Sequence, residues 1–535
     1  MPNPLSYKSQ LTPKLLRFFM IMILTLGILF RFINLDKKIY WGDETFTSLR
    51  LSGYTTPEVN RQLFDGRVVT INDIKKYQSI NSQKKFTDTI KGLALEEPQL
   101  PPLYFLIARF WVKCFGNSIA VTRGISALIS LLIFPCTYWL CLELFGSSMV
   151  GWIAMAIMAV SPFHVLYAQE ARPYSLWTVT ILLSSTFFLR AVRLKTKLSW
   201  FLYTITTTLS LYTYLLTILV TIGNGLYILV IESFRLSKTV ISYILATLLA
   251  ILAFSPWIVA ITVNFNGLIE SSKWAIETTS ISNLIQEWMR NISYSFMDFW
   301  YLFTYFPDSG FNLSFGTYLI PLLLTLVGYS VYFICRRTPK KIWFFILILI
   351  GSNSLPMILS DLFSGGYRSI MARYFVPCYL GIHLSVAYLF AEKINPINRK
   401  IFVTNLWKLS FVVLLLGGII SCCVSSQAET WWTKRTLDHV LVSKLINQTS
   451  EPLVIIDDYL PSVASLSHIL NPDVEFQFIK NNKISKIPQK FSNVFLLESS
   501  KFPVNKFENE QKVKLKLIYK GRKENLWKLD GQFIK

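Results

Sequence analysis

The chain has 535 residues, of which 52% are hydrophobic and only 16% are charged. A soluble globular domain carries about 25% charged residues, so this composition excludes an ordinary soluble protein and predicts a polytopic membrane protein. A formal charge of +22 would suggest a nucleic-acid partner in a soluble protein. Here the basic residues cluster in short loops between apolar segments, so membrane topology and anionic lipids explain most of them and no nucleic-acid partner is expected.

Eleven apolar segments have about the length that a helix needs to cross a bilayer. They lie at 15–34, 119–144, 149–166, 174–192, 199–215, 217–232, 239–262, 316–335, 342–360, 373–391 and 401–423. Basic residues concentrate in the loops 190–197, 235–238, 336–341 and 393–400. All four loops are cytoplasmic if the N-terminus is cytoplasmic, as the positive-inside rule requires. We therefore predict a multi-pass protein of the plasma (cytoplasmic) membrane with its site on the extracytoplasmic face.

An acidic pair, Asp43 and Glu44, follows the first span within the sequence Trp-Gly-Asp-Glu at 41–44. A carboxylate held among aromatic rings at a membrane surface has the setting of a general base. The alternative is a solvated acidic pair in a loop, because acidic loop residues are common. The pair is the first candidate for a catalytic site.

The segment 101–115 resembles a further span, but it is short and carries Arg109 and Lys113. Counting it as a span would move every later basic loop to the outer side. We therefore predict an amphipathic helix in the outer membrane interface. Glu96 and Glu97 precede it, where the N-terminus of a helix favours negative charge.

A second polar motif lies at 161–176, between two predicted spans, and contains Gln169, Glu170, Arg172 and Tyr174. Ionisable residues at the mouth of a membrane protein are costly unless they pair with each other or serve a site. The motif therefore predicts either a supporting part of the active site or a structural ion pair between Glu170 and Arg172.

A third motif at 364–377 places Arg368, Arg373 and Tyr374 before the tenth span. Arginines on the outer side break the positive-inside trend, and the planar guanidinium group binds phosphate well. A lipid-linked phosphate in the outer leaflet is the ligand that this motif predicts. The alternative is a pair of arginines that extend to the headgroups of bulk lipid.

The character of the chain changes after residue 423. Apolar, β-rich runs at 453–458, 474–480, 493–499 and 512–521 are separated by Pro, Asn and Gly. We predict two domains: a transmembrane domain at 1–423, which includes the first outer loop at 35–118, and a small extracytoplasmic α/β domain at 424–535.

Five motifs carry a resemblance to a known family. They are WGDE at 41–44, EEPQLPPLYF at 96–105, RGISAL at 123–128, SPFHVLYAQEARPYS at 161–175 and RYFVP at 373–377. In this order, and with this membrane pattern, the chain resembles the GT-C glycosyltransferases of the family 39-like group, which includes the protein O-mannosyltransferases and the lipid A aminoarabinose transferase. The resemblance covers residues 15–200 well and 360–380 more loosely.

The resemblance implies a GT-C-like all-α membrane fold of about eleven spans with interfacial helices. It also implies a polyprenyl-phosphate sugar donor, inversion at the anomeric carbon and a catalytic Asp in the first outer loop. On this chain that Asp corresponds to Asp43, with Glu44 beside it. The acidic residue before the Pro-Pro element corresponds to Glu97 rather than Glu96. Some members have an Asp in the second outer turn, where this chain has Glu170.

The same mechanism follows from the residues. Asp43 takes a proton from an acceptor hydroxyl as that oxygen attacks the sugar, and an arginine of the second or third motif holds the phosphate that leaves. The expected partners are the polyprenyl-phosphate sugar donor, membrane lipids and an acceptor lipid, glycan or protein. A divalent cation on Asp43, Glu44 and Glu97 stays open as a cofactor, although the resemblance implies that none is required.

Two other functions stay open at this stage. A transporter or flippase of a lipid-linked sugar usually shows inverted repeats and polar residues in the middle of its spans. The polar motifs of this chain lie at the outer mouths instead, which favours the enzyme. A non-catalytic scaffold, whose C-terminal segment recruits a partner, is the third possibility.

Overall fold

The computed structural model describes residues 14–272, 275, 278–298, 300, 310–394, 401–434, 436–456, 460–479, 487–488, 490–499, 504–522 and 524–533. The helices are α1 Lys14–Phe32, α2 Gly42–Ser52, α3 Thr56–Leu63, α4 Ile71–Lys75, α5 Phe86–Glu96, α6 Leu103–Phe115, α7 Ile119–Leu131, α8 Ile133–Phe145, α9 Ser148–Ala159, α10 Pro162–Ala168, α11 Tyr174–Leu194, α12 Lys197–Thr213, α13 Thr217–Ile231, α14 Lys238–Val263, α15 Phe265–Ser272, α16 Ile281–Tyr294, α17 Gly310–Arg337, α18 Lys340–Ser364, α19 Val376–Ile394, α20 Ile401–Gln427, α21 Leu437–Ile446, α22 Leu460–Leu466 and α23 Val504–Gln511. The strands are β1 Val68–Thr70, β2 Pro452–Ile456, β3 Glu475–Phe478, β4 Asn493–Ser499, β5 Val513–Lys520 and β6 Glu524–Phe533. Short 3₁₀ turns occupy Lys76–Gln78, Arg368–Ile370 and Ala372–Phe375.

The eleven predicted apolar segments all coincide with helices, and the prediction of a helical membrane part is confirmed. Among the described residues, seven helices are long and apolar enough to cross a membrane. The count becomes eight if α9 and α10, which meet at a bend of 62°, form one span. The shorter α12 and α13 contain 17 and 15 residues. Residues 395–400 of the last basic loop lie outside the described residues.

The chain folds into two compact units. The helical unit comprises Met1–Ile33, Glu97–Tyr104 and Arg123–Ser426, and the sheet unit comprises Asn34–Glu96, Phe105–Thr122 and Gln427–Lys535. The predicted division places the first outer loop with the transmembrane domain, whereas most of that loop belongs to the sheet unit. The loop instead contributes β1 and α2 to α5 to the same unit as the C-terminal segment, because β1 pairs with β3.

The outer helices of the helical unit present large apolar side chains. Leu252, Val263 and Phe402 are 67%, 75% and 78% exposed, which is the pattern of a surface that contacts lipid. Inside the unit, a Cβ atom on Gly27 would lie 2.5 Å from the carbonyl oxygen of Ala159. Glycine therefore lets α1 and α9 approach each other closely, as small residues do between membrane helices.

The sheet unit is built on six strands in the order β1-β3-β2-β4-β6-β5. The three central strands β3, β2 and β4 are parallel, and the remaining pairs are antiparallel. All residues of β2 are buried, as expected for a central parallel strand that is covered on both faces. Val454 belongs to the core on one face, with α2 and α22, and Leu453 belongs to the core on the other face, with α23.

The structure confirms strands in all four predicted runs of the C-terminal segment, although residues 457–458 and 480 lie outside the described residues. Strands β1 and β6 were not predicted.

The segment 101–115 forms the predicted helix, α6, and its place in the membrane interface stays a prediction. Arg109 of this helix is only 3% exposed. It donates to Thr89 Oγ1 at 3.0 Å and to the carbonyl of Leu51 at the C-terminus of α2, and its burial lowers its pKa.

Candidate active site

The acidic pair lies in the first turn of α2, whose N-cap is Trp41. Negative charge is favourable there because the backbone N–H groups of a first helical turn point outward along the axis. The helix ends at Gly53, which has a φ of 87° and closes the last turn through hydrogen bonds to the carbonyls of Arg50 and Leu49. The sequence thus fixes both ends of the helix that carries the candidate base.

Asp43 and Glu44 have different surroundings, because neighbouring residues on a helix point about 100° apart. The side chain of Glu44 is fully buried, whereas Asp43 is half-buried. Glu44 Oε2 accepts a hydrogen bond from Lys434 Nζ at 2.9 Å, and the lysine side chain is 1% exposed. The ammonium group also lies 5.9 Å from the centre of the Trp41 ring. Glu44 is therefore held in a buried ion pair, and Asp43 is the carboxylate of the two that retains solvent access.

Glu96 also forms an ion pair within the sheet unit. Its carboxylate accepts from Arg50 Nη2 at 2.6 Å and from the backbone N–H of Thr56. Arg50 donates in addition to the carbonyl of Tyr54, so this pair ties the end of α5 to the end of α2. Glu97, the next residue, belongs to the helical unit and is half-buried. The structure gives Glu96 a structural position, and the supporting role predicted for Glu97 stays a prediction.

In the helical unit, residues 169–173 of the second motif form the tight turn between α10 and α11. Gln169 donates from Nε2 to the carbonyls of Phe30 and Ile33 at the end of α1, at 2.8 and 2.9 Å. Glu170 is fully buried and Arg172 is 6% exposed. The backbone N–H of Arg172 donates to the carbonyl of Glu170 at 2.7 Å. The side chain of Gln169 therefore ties this turn to the C-terminal end of α1.

Two arginines and three tyrosines come together in the helical unit. We call this set the arginine–tyrosine cluster: Arg172, Tyr174, Tyr214, Arg373 and Tyr374. Arg373 lies over the Tyr374 ring at 5.5 Å. The rings of Tyr174 and Tyr374 lie 6.1 and 6.5 Å from that of Tyr214. Both arginines are close enough to the Tyr214 hydroxyl to interact with it electrostatically. The structure therefore unites residues that are about 200 positions apart in the sequence.

Arg368, the other predicted phosphate ligand, has different surroundings. Its Nη1 atom is 3.5 Å from Ser360 Oγ on α18, which is a long hydrogen bond. The loop that carries it turns at Gly365, with a φ of 74°, and Asp361 accepts from the backbone N–H of Ser369 at 2.5 Å. A Cβ atom on Gly366 would lie 2.7 Å from the carbonyl of Ala275, so the loop has no room for a larger residue. Its predicted part in phosphate binding stays a prediction.

Sequence reasoning missed two residues of these sites, Lys434 and Tyr214. Lys434 follows the Trp431-Trp432 pair just after the last span, and that combination of an aromatic pair and a cation was the available signal. Tyr214 lies in the break between α12 and α13, which the surrounding apolar sequence does not mark. Within the described ranges, no cluster of three or more His, Cys, Asp or Glu side chains is arranged to hold a metal ion.

Comparison with known proteins gives one family match. Residues 99–259 match the family described as dolichyl-phosphate-mannose-protein mannosyltransferase. This match spans α6 to α14 and includes the second motif, but it ends before the third motif. Comparison with curated protein sequences gives no significant match.

Two solved structures share the fold over almost the whole chain. The crystal structure of ArnT from Cupriavidus metallidurans bound to undecaprenyl phosphate has a TM-score of 0.52 at 14% identity, covering 97% of this chain and 99% of that chain. The structure of the same protein in the apo state also has a TM-score of 0.52, at 12% identity, covering 96% of this chain and 98% of that chain. Identities this low show the fold alone.

The predicted GT-C architecture, helices with a small C-terminal sheet, is thus confirmed, and the findings support a glycosyltransferase in a multi-pass membrane protein. Residues 99–259 thus resemble the mannosyltransferase family, and almost the whole chain shares the fold of ArnT.

Proposed function

We propose that this protein is an inverting glycosyltransferase that moves a sugar from a polyprenyl-phosphate donor to an acceptor on the outer face of the membrane. The observation that carries the proposal is the arginine–tyrosine cluster. Guanidinium groups recognise phosphate through charge-assisted hydrogen bonds, and tyrosine hydroxyls add donors at a membrane surface. The fold shared with ArnT, a protein solved with undecaprenyl phosphate bound, supports a donor of this class.

In the proposed reaction, Asp43 is the general base. It accepts the proton of an acceptor hydroxyl while that oxygen bonds to the anomeric carbon of the sugar. The bond between that carbon and the phosphate oxygen breaks, and its electron pair leaves on the phosphate. Arg172 and Arg373 stabilise the negative charge that develops there. Attack from the face opposite the leaving phosphate inverts the anomeric configuration.

The base assignment goes to Asp43 rather than Glu44 because of their surroundings. The Glu44 carboxylate already accepts from Lys434, which opposes the uptake of a proton. Asp43 is half-buried and retains the access that an acceptor hydroxyl needs.

The acceptor is a lipid, a glycan or a protein, and membrane lipids surround the apolar helices. The N-terminus is cytoplasmic in this proposal, and the C-terminal segment is extracytoplasmic.

The test is sugar transfer by the purified protein in nanodiscs, with a radiolabelled polyprenyl-phosphate sugar and a mixture of candidate acceptors. Loss of a general base costs about 10²–10⁴-fold, so we expect Asp43→Asn to abolish measurable transfer. Asp36→Asn is the matched control, because this exposed carboxylate lies in the same loop. Transfer at the wild-type rate by Asp43→Asn would exclude the assignment.

A second measurement separates the enzyme from a flippase. The same donor is placed in one leaflet of proteoliposomes, and its appearance in the other leaflet is followed over time. Transfer to an acceptor without translocation supports the enzyme, whereas translocation that leaves the sugar on its lipid supports the flippase. Addition of EDTA to the transfer assay decides whether a divalent cation takes part.

A further inference from the structure

The chain that follows the last span runs beside the chain that leads to Asp43, and both belong to the sheet unit. The backbone N–H of Ile39 donates to the carbonyl of Glu429 at 2.8 Å. Lys37 Nζ donates to Gln427 Oε1 at 3.2 Å. The ion pair between Lys434 and Glu44 is a third connection, farther along the same two segments. Residues almost 400 positions apart are thus joined three times in succession.

The third connection differs from the other two because it is buried. The side chains of Glu44 and Lys434 are 0% and 1% exposed, and Trp41 lies beside the ammonium group. A low dielectric strengthens the attraction between two opposite charges, and it makes the loss of either partner costly. The ion pair therefore holds the two segments together rigidly, whereas the hydrogen bond between Lys37 and Gln427 lies at an exposed position.

We infer that the buried pair of Glu44 and Lys434 positions Asp43 for catalysis, so that the segment after the last span is part of the active-site machinery. This inference rests on the proposed function. Consecutive Cα atoms are about 3.8 Å apart, so fixing the side chain of Glu44 fixes the helical turn that carries Asp43. The first turn is further held by Thr45 Oγ1, which donates to the carbonyl of Gly42 at 2.8 Å. Lys434 acts through Glu44 and is a positioning residue.

Other charged groups surround α2, and most have partners away from its first turn. They are Arg50 with Glu96 and Arg109 with the Leu51 carbonyl at the far end of the helix, Asp88 and Lys91 on α5, Lys76 in the turn Lys76–Gln78, Glu429 with Lys444, His468 beside Gln78, and Asp36, Lys37 and Lys38 ahead of the helix. Helix α22, which also packs on α2, carries no charged residue. Removal of the charge on Lys434 or Glu44 is thus the most direct test of whether this ion pair positions Asp43.

The test compares steady-state transfer, as a function of pH, by five variants and the wild type. In Lys434→Met, we expect kcat to fall by up to about a hundredfold with the KM for the donor nearly unchanged, because misplacement of a catalytic group by about 1 Å has this effect. Glu44→Gln lowers kcat in the same way. Lys434→Arg, which keeps the charge, restores most of the rate. Lys444→Met is the control, because Lys444 forms an exposed ion pair with Glu429 and is not part of the buried pair of Glu44 and Lys434.

The pH profile gives a readout that general loss of structure would not produce. A general base acts in its ionised form, so the rate of transfer falls on an acid limb at low pH. Loss of the Lys434 cation leaves a negative neighbour, which moves this acid limb to higher pH, whereas loss of the Glu44 charge moves it to lower pH. The double variant Glu44→Gln/Lys434→Met removes both charges, so we expect its limb near the wild-type position and its kcat still reduced.

These measurements distinguish a failure of the positioning role of the ion pair from a failure of the proposed function. If a single variant fails to fold, the double variant leaves no uncompensated buried charge and carries the test. A wild-type kcat in the double variant, or acid limbs that do not separate in the two single variants, would overturn the inference. An active Asp43→Asn protein would instead overturn the proposed function, whatever the pair does.

Discussion

The two units of this protein are stabilised in different ways, and the difference reflects their two solvents. The sheet unit buries apolar side chains on both faces of its sheet, and it pairs buried charges such as Arg50 with Glu96. In the helical unit, lipid removes the hydrophobic drive for helices to associate, so close contact and hydrogen bonds take its place. The approach of α1 and α9 at Gly27 is one example. The same kind of substitution should therefore act differently in each unit.

The largest effect on stability is expected from Arg50→Met in the sheet unit. The Arg50 side chain is 1% exposed and Glu96 is 18% exposed, so the variant leaves a largely buried carboxylate without its cation. Loss of one partner of a buried pair costs about 3–5 kcal/mol, and we expect the lower end here because Glu96 keeps the N–H of Thr56. The measurement is the thermal unfolding midpoint of the protein in nanodiscs.

The control for this variant is Arg67→Met. Arg67 pairs with Asp65 in the same unit, but the two side chains are 55% and 41% exposed. A pair on the surface contributes about 0–1 kcal/mol, so the midpoint should hardly move. Equal shifts in the two variants would contradict the idea that burial sets the value of ion pairs in this unit.

The corresponding test in the helical unit is Gly27→Ala. The new methyl group would lie 2.5 Å from the carbonyl of Ala159, which forces α1 away from α9. Overpacking typically costs 1–3 kcal/mol, and we expect about 2 kcal/mol of lost stability. Gly328→Ala in α17 is the matched control, because no atom lies within 4 Å of a Cβ there. That variant should be neutral or gain up to about 1 kcal/mol from helix propensity. A stable Gly27→Ala protein would show that α1 and α9 do not need this contact.

The sequence predicts the helices of this fold better than its sheet. A span must be apolar over about twenty residues, so hydropathy alone located all eleven helical segments. Strands β2 to β5 were predicted because apolar and β-branched residues recur between turn residues. Strand β1 contains only three residues, and its partner β3 begins about 400 positions later, so no local pattern marks it. Strand β6 is interrupted by charged residues and Gly531, which obscured its alternation.

The candidate site shows the same division. Composition and motif order pointed to Asp43, Arg172 and Arg373, but the different surroundings of Asp43 and Glu44 follow only from their places around α2. Local sequence cannot show that Lys434 reaches Glu44, because the two residues are 390 positions apart. Residue type and motif order therefore suffice to name candidate residues, whereas contacts between residues that are distant in the sequence cannot be predicted in this way.

Arg373→Ala is expected to give the smallest effect, a change in the free energy of ligand binding. It tests whether the charges of the helical unit serve binding rather than stability. Arg373 lies over Tyr374 within the arginine–tyrosine cluster. A hydrogen bond from a charged group contributes about 1.5–3 kcal/mol, and we expect the lower end because Arg172 remains. The Kd for a polyprenyl phosphate in nanodiscs should rise about tenfold, while the unfolding midpoint without ligand stays near that of the wild type.

Arg336→Ala is the matched control for this prediction, because Arg336 also lies over a tyrosine, Tyr332, at 5.8 Å but near the opposite end of the membrane part in our topology. Its removal should leave the Kd unchanged. If Arg373→Ala lowers the unfolding midpoint and leaves the Kd unchanged, the guanidinium group is part of the architecture of the helical unit. In that case cations would contribute to stability in both units, and Arg172 and Arg368 would be the remaining candidates for the phosphate.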